Sequence, residues 1–169
     1  MDQRRIVVVG NGMVGHHFVE TLVNAKTADT ITVIGEEPRP AYDRVHLSDV
    51  FAGRAPEDLA MTTRQTYREW GVDAHFGDPV VSIERSTKRV VTAGGRVFDY
   101  DKLVLATGSY PFVPPVPGAD HERCLTYRTI DDLGQIRAKA KDSRIGVVVG
   151  GGLLGLECAN ALQNLGLET

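Results

Sequence analysis

The sequence predicts an α/β fold: a Rossmann-like parallel sheet bearing an antiparallel β-meander, followed by the start of a second Rossmann unit. Three observations predict it. The motif Gly-x-Gly-x-x-Gly occurs twice, as Gly10-Asn11-Gly12-Met13-Val14-Gly15 and as Gly150-Gly151-Gly152-Leu153-Leu154-Gly155. Each copy follows a short valine-rich run and opens a stretch with helical apolar spacing, the strand–turn–helix context of a dinucleotide-binding turn. Between the copies lie three short β-rich runs separated by turn residues, the pattern of an antiparallel meander.

Taken in order, residues 6–9 read as a buried parallel strand, apolar on both faces. The helix after Gly12 carries Val14, Phe18, Leu22 and Ala25 at helical spacing, and residues 31–34 form a second β-branched strand, completing a βαβ unit. Residues 35–44 are a loop rich in proline and charge, and a helix covers 63–70 and stops at Gly71. The meander runs over 80–84, 88–92 and 96–100, with Ser86-Thr87 and Gly94-Gly95 as punctuation. Residues 103–108 are a buried strand ending on the small-residue turn Ala106-Thr107-Gly108. Pro111, Pro114, Pro115 and Pro117 then form a domain-crossing connection rather than a core element. A helix over 131–140 precedes the second motif, whose own helix carries Leu153, Leu156, Ala159, Leu162 and Leu165. This reading places a first domain at 1–118 and the start of a second at 119–169.

Composition narrows the function classes. A chain of 169 residues suffices for one domain and part of another. A net charge of −3 gives no electrostatic footprint for nucleic acid or an anionic membrane. The four apolar residues before Gly10 are too few for a signal peptide or a membrane span, so a cytoplasmic location is expected. Cys124 and Cys158 are far apart and outside any C-x-x-C pair, which argues against a redox dithiol, a zinc site or an iron–sulfur cluster built here. Adjacent His16 and His17 point apart on a helix, so they read as surface or cap-proximal residues, not metal ligands. His46 reads as a loop histidine, and Tyr42, Tyr67 and Trp70 as packing residues. Arg64, Arg68 and Glu69 read as a solvated helix face, and no G-x-S-x-G nucleophile signature is present.

In the first motif, Gly10 permits the strand-to-helix turn, Gly12 lets the backbone approach a pyrophosphate, and Gly15 lets the helix lie close to the strand. The helix N-terminus offers N–H groups and a partial positive charge to the phosphates. An acidic residue about 20 positions further on should accept from a ribose. Glu36 stands there, and Glu37 is the alternative. On these residues alone the motif suits NAD and FAD equally. For the second motif the residue that chooses NADH or NADPH lies beyond Thr169; Glu157, inside the helix, is not that residue.

The order of glycine motif, meander, Tyr100-Asp101-Lys102-Leu103-Val104-Leu105-Ala106-Thr107-Gly108, proline-rich connection and second glycine motif resembles the FAD-dependent pyridine-nucleotide reductases with two dinucleotide-binding domains. Gly10 to His16, Gly35-Glu36-Glu37-Pro38, Tyr42-Asp43-Arg44-Val45-x-Leu47-Ser48 and Tyr127-Arg128-Thr129-Ile130-Asp131-Asp132-Leu133 are similar to the N-terminal part of the large-subunit family of assimilatory NAD(P)H nitrite reductases. The last segment fits the related ferredoxin and rubredoxin reductases as well. The resemblance implies FAD in the first domain and NAD(P)H in the second. It implies that Gly10, Gly12, Met13, Val14 and Gly15 lie on the FAD pyrophosphate and that Glu36 holds the adenosine ribose. Arg44 then approaches the cofactor from its loop, the Val80 backbone meets the adenine, Ala106, Thr107 and Gly108 close the first FAD segment, and Arg128 contacts the FAD region. Gly150, Gly152, Leu153, Leu154 and Gly155 are the implied NAD(P)H contacts.

Asp49 departs from the pattern, because related ferredoxin reductases carry a lysine there beside the flavin. The return segment to the FAD domain and the siroheme and iron–sulfur ligands of complete nitrite reductases are not in these residues. The expected function is therefore the FAD-binding portion of a reductase passing electrons from NAD(P)H to an iron–sulfur/siroheme centre outside this chain, with a small subunit or an electron-carrier protein as partner. A ferredoxin- or rubredoxin-type reductase, and a truncated nucleotide-binding module without turnover, are the alternatives. An unfinished second sheet is expected to leave apolar surface uncovered.

Overall fold

The computed structural model describes residues 3–169, which divide into two compact units. The first holds the chain up to Tyr42 together with Ala60–Ser109; the second holds Asp43–Leu59 and Tyr110–Thr169.

In the first unit β1 (Arg5–Val9) leads into α1 (Met13–Asn24) and β2 (Thr30–Gly35). The chain re-enters at α2 (Arg64–Glu69), whose N-cap Thr63 accepts from the Thr66 N–H at 3.1 Å. β3 (Asp73–Phe76), β4 (Val80–Glu84), β5 (Arg89–Thr92), β6 (Val97–Asp99) and β7 (Lys102–Leu105) complete it. Four strands pair in parallel in the order β3-β2-β1-β7, with Ile6 between Ile31 and Lys102. The strands β4, β5 and β6 form the antiparallel meander.

The apolar run of β1 is explained by burial on both faces. Ile6 and Val8 pack with Val19 of α1, Ile31 and Val33 of β2, and Tyr67 and Val72. Val7 and Val9 pack the other way, with Ile34, Val90 of the meander and Tyr100. Each such aliphatic side chain contributes about 1.5–3 kcal/mol when fully buried. At the start of the strand Arg5 ties β1 to the residue before β7: its backbone N–H and guanidinium reach the Asp101 carboxylate at 2.8 and 3.0 Å. Those bonds hold the Asp101 carboxyl down at about 2.

Two features of this unit differ from the sequence expectation. β3 is not among the elements expected above; its residues alternate, with Ala74 and Phe76, like Val72 before them, on the core side, and it pairs with β2 at the sheet edge. His16 is not at the surface. It is 4% exposed, stacks on Trp70 with centroids 5.8 Å apart at 12°, and its Nδ1 lies 3.0 Å from the Tyr67 hydroxyl. Its neighbour His17 does lie outside, 3.3 Å from Glu20. The two side chains diverge because adjacent helical positions are about 100° apart, and residue 16 shares the buried side with Val19.

The second unit contains short 3-10 turns at Leu47–Val50 and Pro56–Leu59, then α3 (Ile130–Ala140) and α4 (Leu153–Asn164). Leu133 and Ile136 of α3, Ala161 and Leu162 of α4, and Leu47, Val50, Phe51, Leu59 and Leu167 are its buried apolar residues. Arg137 donates to the Val50 carbonyl and lies over the Phe51 ring, 5.6 Å from its centroid. Thr129 and Asp132 close a capping box on α3: the Thr129 hydroxyl accepts from Asp132 N–H at 3.1 Å, and the Asp132 carboxylate accepts from Thr129 N–H at 2.9 Å. The run 145–149 is not a continuous strand. It makes one parallel bridge, Ile145 to Glu168, and leaves Val147 and Val149 exposed, because a strand requires a paired neighbour and Glu168 is the only bridge partner among the described residues.

Burial lowers the His16 pKa from its ordinary 6.5. The folded state then binds fewer protons than the unfolded state near that pH, so stability is full above 6.5 and falls as pH drops through it. Thermal melts between pH 7.5 and 5.5 are expected to show a declining midpoint, with a shallower decline in His16→Gln; equal slopes would contradict a buried neutral imidazole.

Candidate functional site

At the carboxyl end of β1 the sheet connections part, with β2 on one side and β7 on the other. That is the switch point at which open α/β sheets bind ligands. Gly10 occupies it with φ +107, a left-handed conformation, and its N–H reaches the Ile34 carbonyl at 2.8 Å. The Ala106 N–H donates to the Val9 carbonyl at 2.7 Å. A Cβ on Gly10 would collide with the Ala106 carbonyl oxygen and lie 2.5 Å from its carbon. One on Gly15 would overlap the Gly10 carbonyl oxygen, 3.1 Å from the carbon. Gly12 differs from both: its φ of −83 is ordinary, and a Cβ there meets nothing within 4 Å. Two glycines are demanded by packing; the third faces open space.

The helix that starts there has its positive end uncovered. No side chain caps α1 at Gly12, and its first turn has no acidic residue. The first intrahelical bond runs from His16 N–H to the Gly12 carbonyl at 2.9 Å. The same holds for α4: Gly152 is an N-cap without a side-chain bond, and its first turn has no acidic residue. By contrast, α2 and α3, which the glycine motifs do not open, each have a threonine cap. Uncapped N–H groups plus a space that a Cβ would fill suit a diphosphate. The second motif repeats the backbone. Gly150 has φ +135, a Cβ on Gly155 would overlap the Gly150 carbonyl oxygen, and Gly152 again meets nothing within 4 Å.

The other sequence-predicted residues fall as follows. Met13 is half-buried and Val14 exposed at the open end of α1. Glu36 is exposed just beyond β2, whereas Glu37 accepts from the Tyr42 hydroxyl at 2.7 Å. Val80 opens β4 opposite Thr92, where the register shifts before Ser82. Ala106 is half-buried under Gly10, Thr107 is exposed, and Gly108 has φ +70. Arg44 and Arg128 belong to the second unit, as do Leu153 and Leu154, which are exposed. The Arg128 backbone N–H donates at 2.9 Å to the same Asp132 oxygen that closes the capping box, which fixes the start of its side chain. His46 pairs with Asp43 at 2.7 Å, and Asp49 with Arg54 at 3.2 Å.

The structure adds one pair that the sequence does not foretell. The Tyr67 hydroxyl donates to Asn11 Oδ1 at 2.7 Å across 56 positions of sequence. Burial pushes the Tyr67 pKa up to about 12, so it remains a neutral donor. Nothing local signals this contact; only the polar residue between two glycines marks the place.

A parallel sheet with a meander and a doubled glycine turn defines a two-dinucleotide oxidoreductase. Residues 4–169 match the pyridine nucleotide-disulphide oxidoreductase family, whose members bind FAD and a pyridine nucleotide, and the chain belongs to that family. It is 53% identical over 171 residues to the nitrite reductase [NAD(P)H] large subunit of Klebsiella oxytoca, covering 100% of this chain and 18% of that subunit. To the nitrite reductase (NADH) large subunit of Escherichia coli it is 48% identical over 171 residues, covering 100% of this chain and 20% of the subunit. The chain thus spans about a fifth of the length of these relatives. Among solved structures, the ferredoxin reductase for the CYP199A2 system from Rhodopseudomonas palustris superposes with a TM-score of 0.90 at 29% identity, over 98% of this chain and 41% of that one. No helix among the described residues is long and apolar enough to cross a membrane.

Gly10→Ala and Gly15→Ala should each lower the stability of the ligand-free chain by roughly 1–3 kcal/mol through overpacking. Gly12→Ala should leave its melting midpoint unchanged. A Gly12→Ala midpoint as low as that of Gly15→Ala would show that the space at Gly12 is not open.

Proposed function

We propose that this chain is the FAD-binding portion of an NAD(P)H-dependent flavoprotein reductase of the nitrite reductase large-subunit kind. One observation carries the reading: the uncapped N-terminus of α1 stands at the sheet switch point, over a glycine with no neighbour within 4 Å of a Cβ. In this reading residues 1–118 supply the first FAD segment and 119–169 begin the NAD(P)H-binding part. Gly12, Met13, Val14 and the first turn of α1 receive the pyrophosphate, while Gly10 and Gly15 shape the turn. Glu36 accepts from the ribose hydroxyls, as the first acidic residue after β2. The Val80 backbone borders the adenine, and Ala106, Thr107 and Gly108 form the floor. Arg44 and Arg128 enter as FAD contacts on resemblance alone. Gly150, Gly152, Leu153, Leu154 and Gly155 do for NAD(P)H what the first motif does for FAD.

Bound FAD supplies hydride acceptance from NAD(P)H and one-electron delivery onward; the protein binds, orients and tunes it. No side chain is required as acid, base or nucleophile. The electrons go to an iron–sulfur/siroheme centre outside this chain, a destination supported by the 53% and 48% identities to nitrite reductase large subunits. The likeness to a ferredoxin reductase at 29% identity supports a second reading, in which a separate carrier protein accepts them.

The purified chain, incubated with FAD and desalted, is expected to keep an oxidised-flavin absorption spectrum that a Glu36→Ala, Gly12→Val double variant loses. A colourless but folded chain would overturn the reading.

A further inference from the structure

The contact between α2 and the first glycine turn is not explained by packing alone. Tyr67 is 1% exposed and its ring fills the core, yet its hydroxyl is spent on Asn11, the one residue of the turn flanked by two glycines. With the Tyr67 proton on Asn11 Oδ1, the 3.0 Å contact to His16 Nδ1 requires the imidazole to donate, which fixes the Nδ1–H tautomer. A three-membered chain therefore runs from His16 through Tyr67 to Asn11. It restrains a segment that its two glycines would otherwise leave loose.

The choice of asparagine has a cost. Its Nδ2 is shielded from solvent and meets no hydrogen-bond partner. Aspartate would also accept the Tyr67 proton and would favour the positive end of α1, but its second oxygen would stand shielded and without a donor where Nδ2 now is. Asparagine is therefore no better than aspartate for the ligand-free protein. It becomes the better one if the end of α1 must receive an anion, because a carboxylate would already occupy that field and repel it.

We propose that Tyr67 is a positioning residue that acts through Asn11 to set the first glycine turn, and that the neutrality of Asn11 keeps this turn selective for an anionic ligand, the dinucleotide pyrophosphate. The proposal rests on the FAD reading above and adds the residues that tune that site. It predicts that a single isosteric change to a charged residue weakens binding in a salt-dependent way, which a purely structural role for Asn11 does not predict.

The test measures the melting midpoint of the ligand-free chain and its FAD affinity by flavin fluorescence, for wild type, Asn11→Asp, Asn11→Ala, Tyr67→Phe, the Asn11→Ala/Tyr67→Phe double variant and Gly12→Val. Asn11→Asp should bind FAD at least about 10-fold more weakly, with the penalty shrinking as salt is raised. Tyr67→Phe should weaken FAD binding by about 5-fold, and the double variant should bind no more weakly than Asn11→Ala alone, because both changes break one chain. Should Tyr67→Phe fail to fold, Asn11→Asp decides. Wild-type affinity in Asn11→Asp overturns the proposal while leaving the FAD reading intact, provided Gly12→Val abolishes binding. A wild-type chain that does not bind FAD, or one whose Gly12→Val variant binds as well, overturns both.

Discussion

The backbone of α1 rests on the carbonyl of Gly10 with no room for a methyl group between them. The rest of the first unit depends on that contact. It sets how closely the helix approaches β1, and so how Val19 reaches Ile6 and Val8 in the core beneath. It also directs the helix axis at the end of the sheet where β2 and β7 diverge. Gly10 is squeezed from the other side by the Ala106 carbonyl, so the turn is held between α1 and the residue that follows β7. A binding surface made of backbone atoms gains its precision from such close approaches, because it has no side chains to adjust.

The second unit shows the same local geometry in different surroundings. Gly152 begins α4 with nearly the same backbone angles as Gly12 in α1, and Gly155 presses on the Gly150 carbonyl as Gly15 does on Gly10. The outline of the turn therefore recurs with the glycines, and in the first unit the Tyr67–Asn11 bond braces it further. What differs is the strand leading in. β1 has a paired strand on each side and buried faces; residues 145–149 have one bridge and exposed valines. The outline of the turn recurs with its glycines, but its strand depends on neighbours.

This distinction explains what was legible in the sequence. The two glycine turns, the apolar β1, α1, β2, the meander and α3 all emerge from short-range patterns: valine runs, helical spacing and turn residues. β3 is absent from that reading although Val72, Ala74 and Phe76 alternate with polar residues, because the run is only four residues long and contains a single large apolar side chain. The 145–149 run was overread for the complementary reason, since its apolar content matches β1 without the pairing. The buried place of His16 and the Tyr67–Asn11 bond were invisible for lack of any local cue: their partners are 51 and 56 positions away. Within the candidate site, the backbone part was legible and the side-chain part that braces it was not.

The topology also fixes an order of events during synthesis. β1 is made before its neighbour β7 and the Ala106 carbonyl that pins Gly10, which come about a hundred residues later; Arg5 and Asp101 alone are separated by 96 positions. Until those residues leave the ribosome, β1 can pair with β2 on one side only, and the backbone N–H and C=O groups of its other edge stay unpaired. The first glycine turn is thus made before β7 yet completed only after it. A nascent chain must keep that strand edge out of intermolecular pairing throughout the interval.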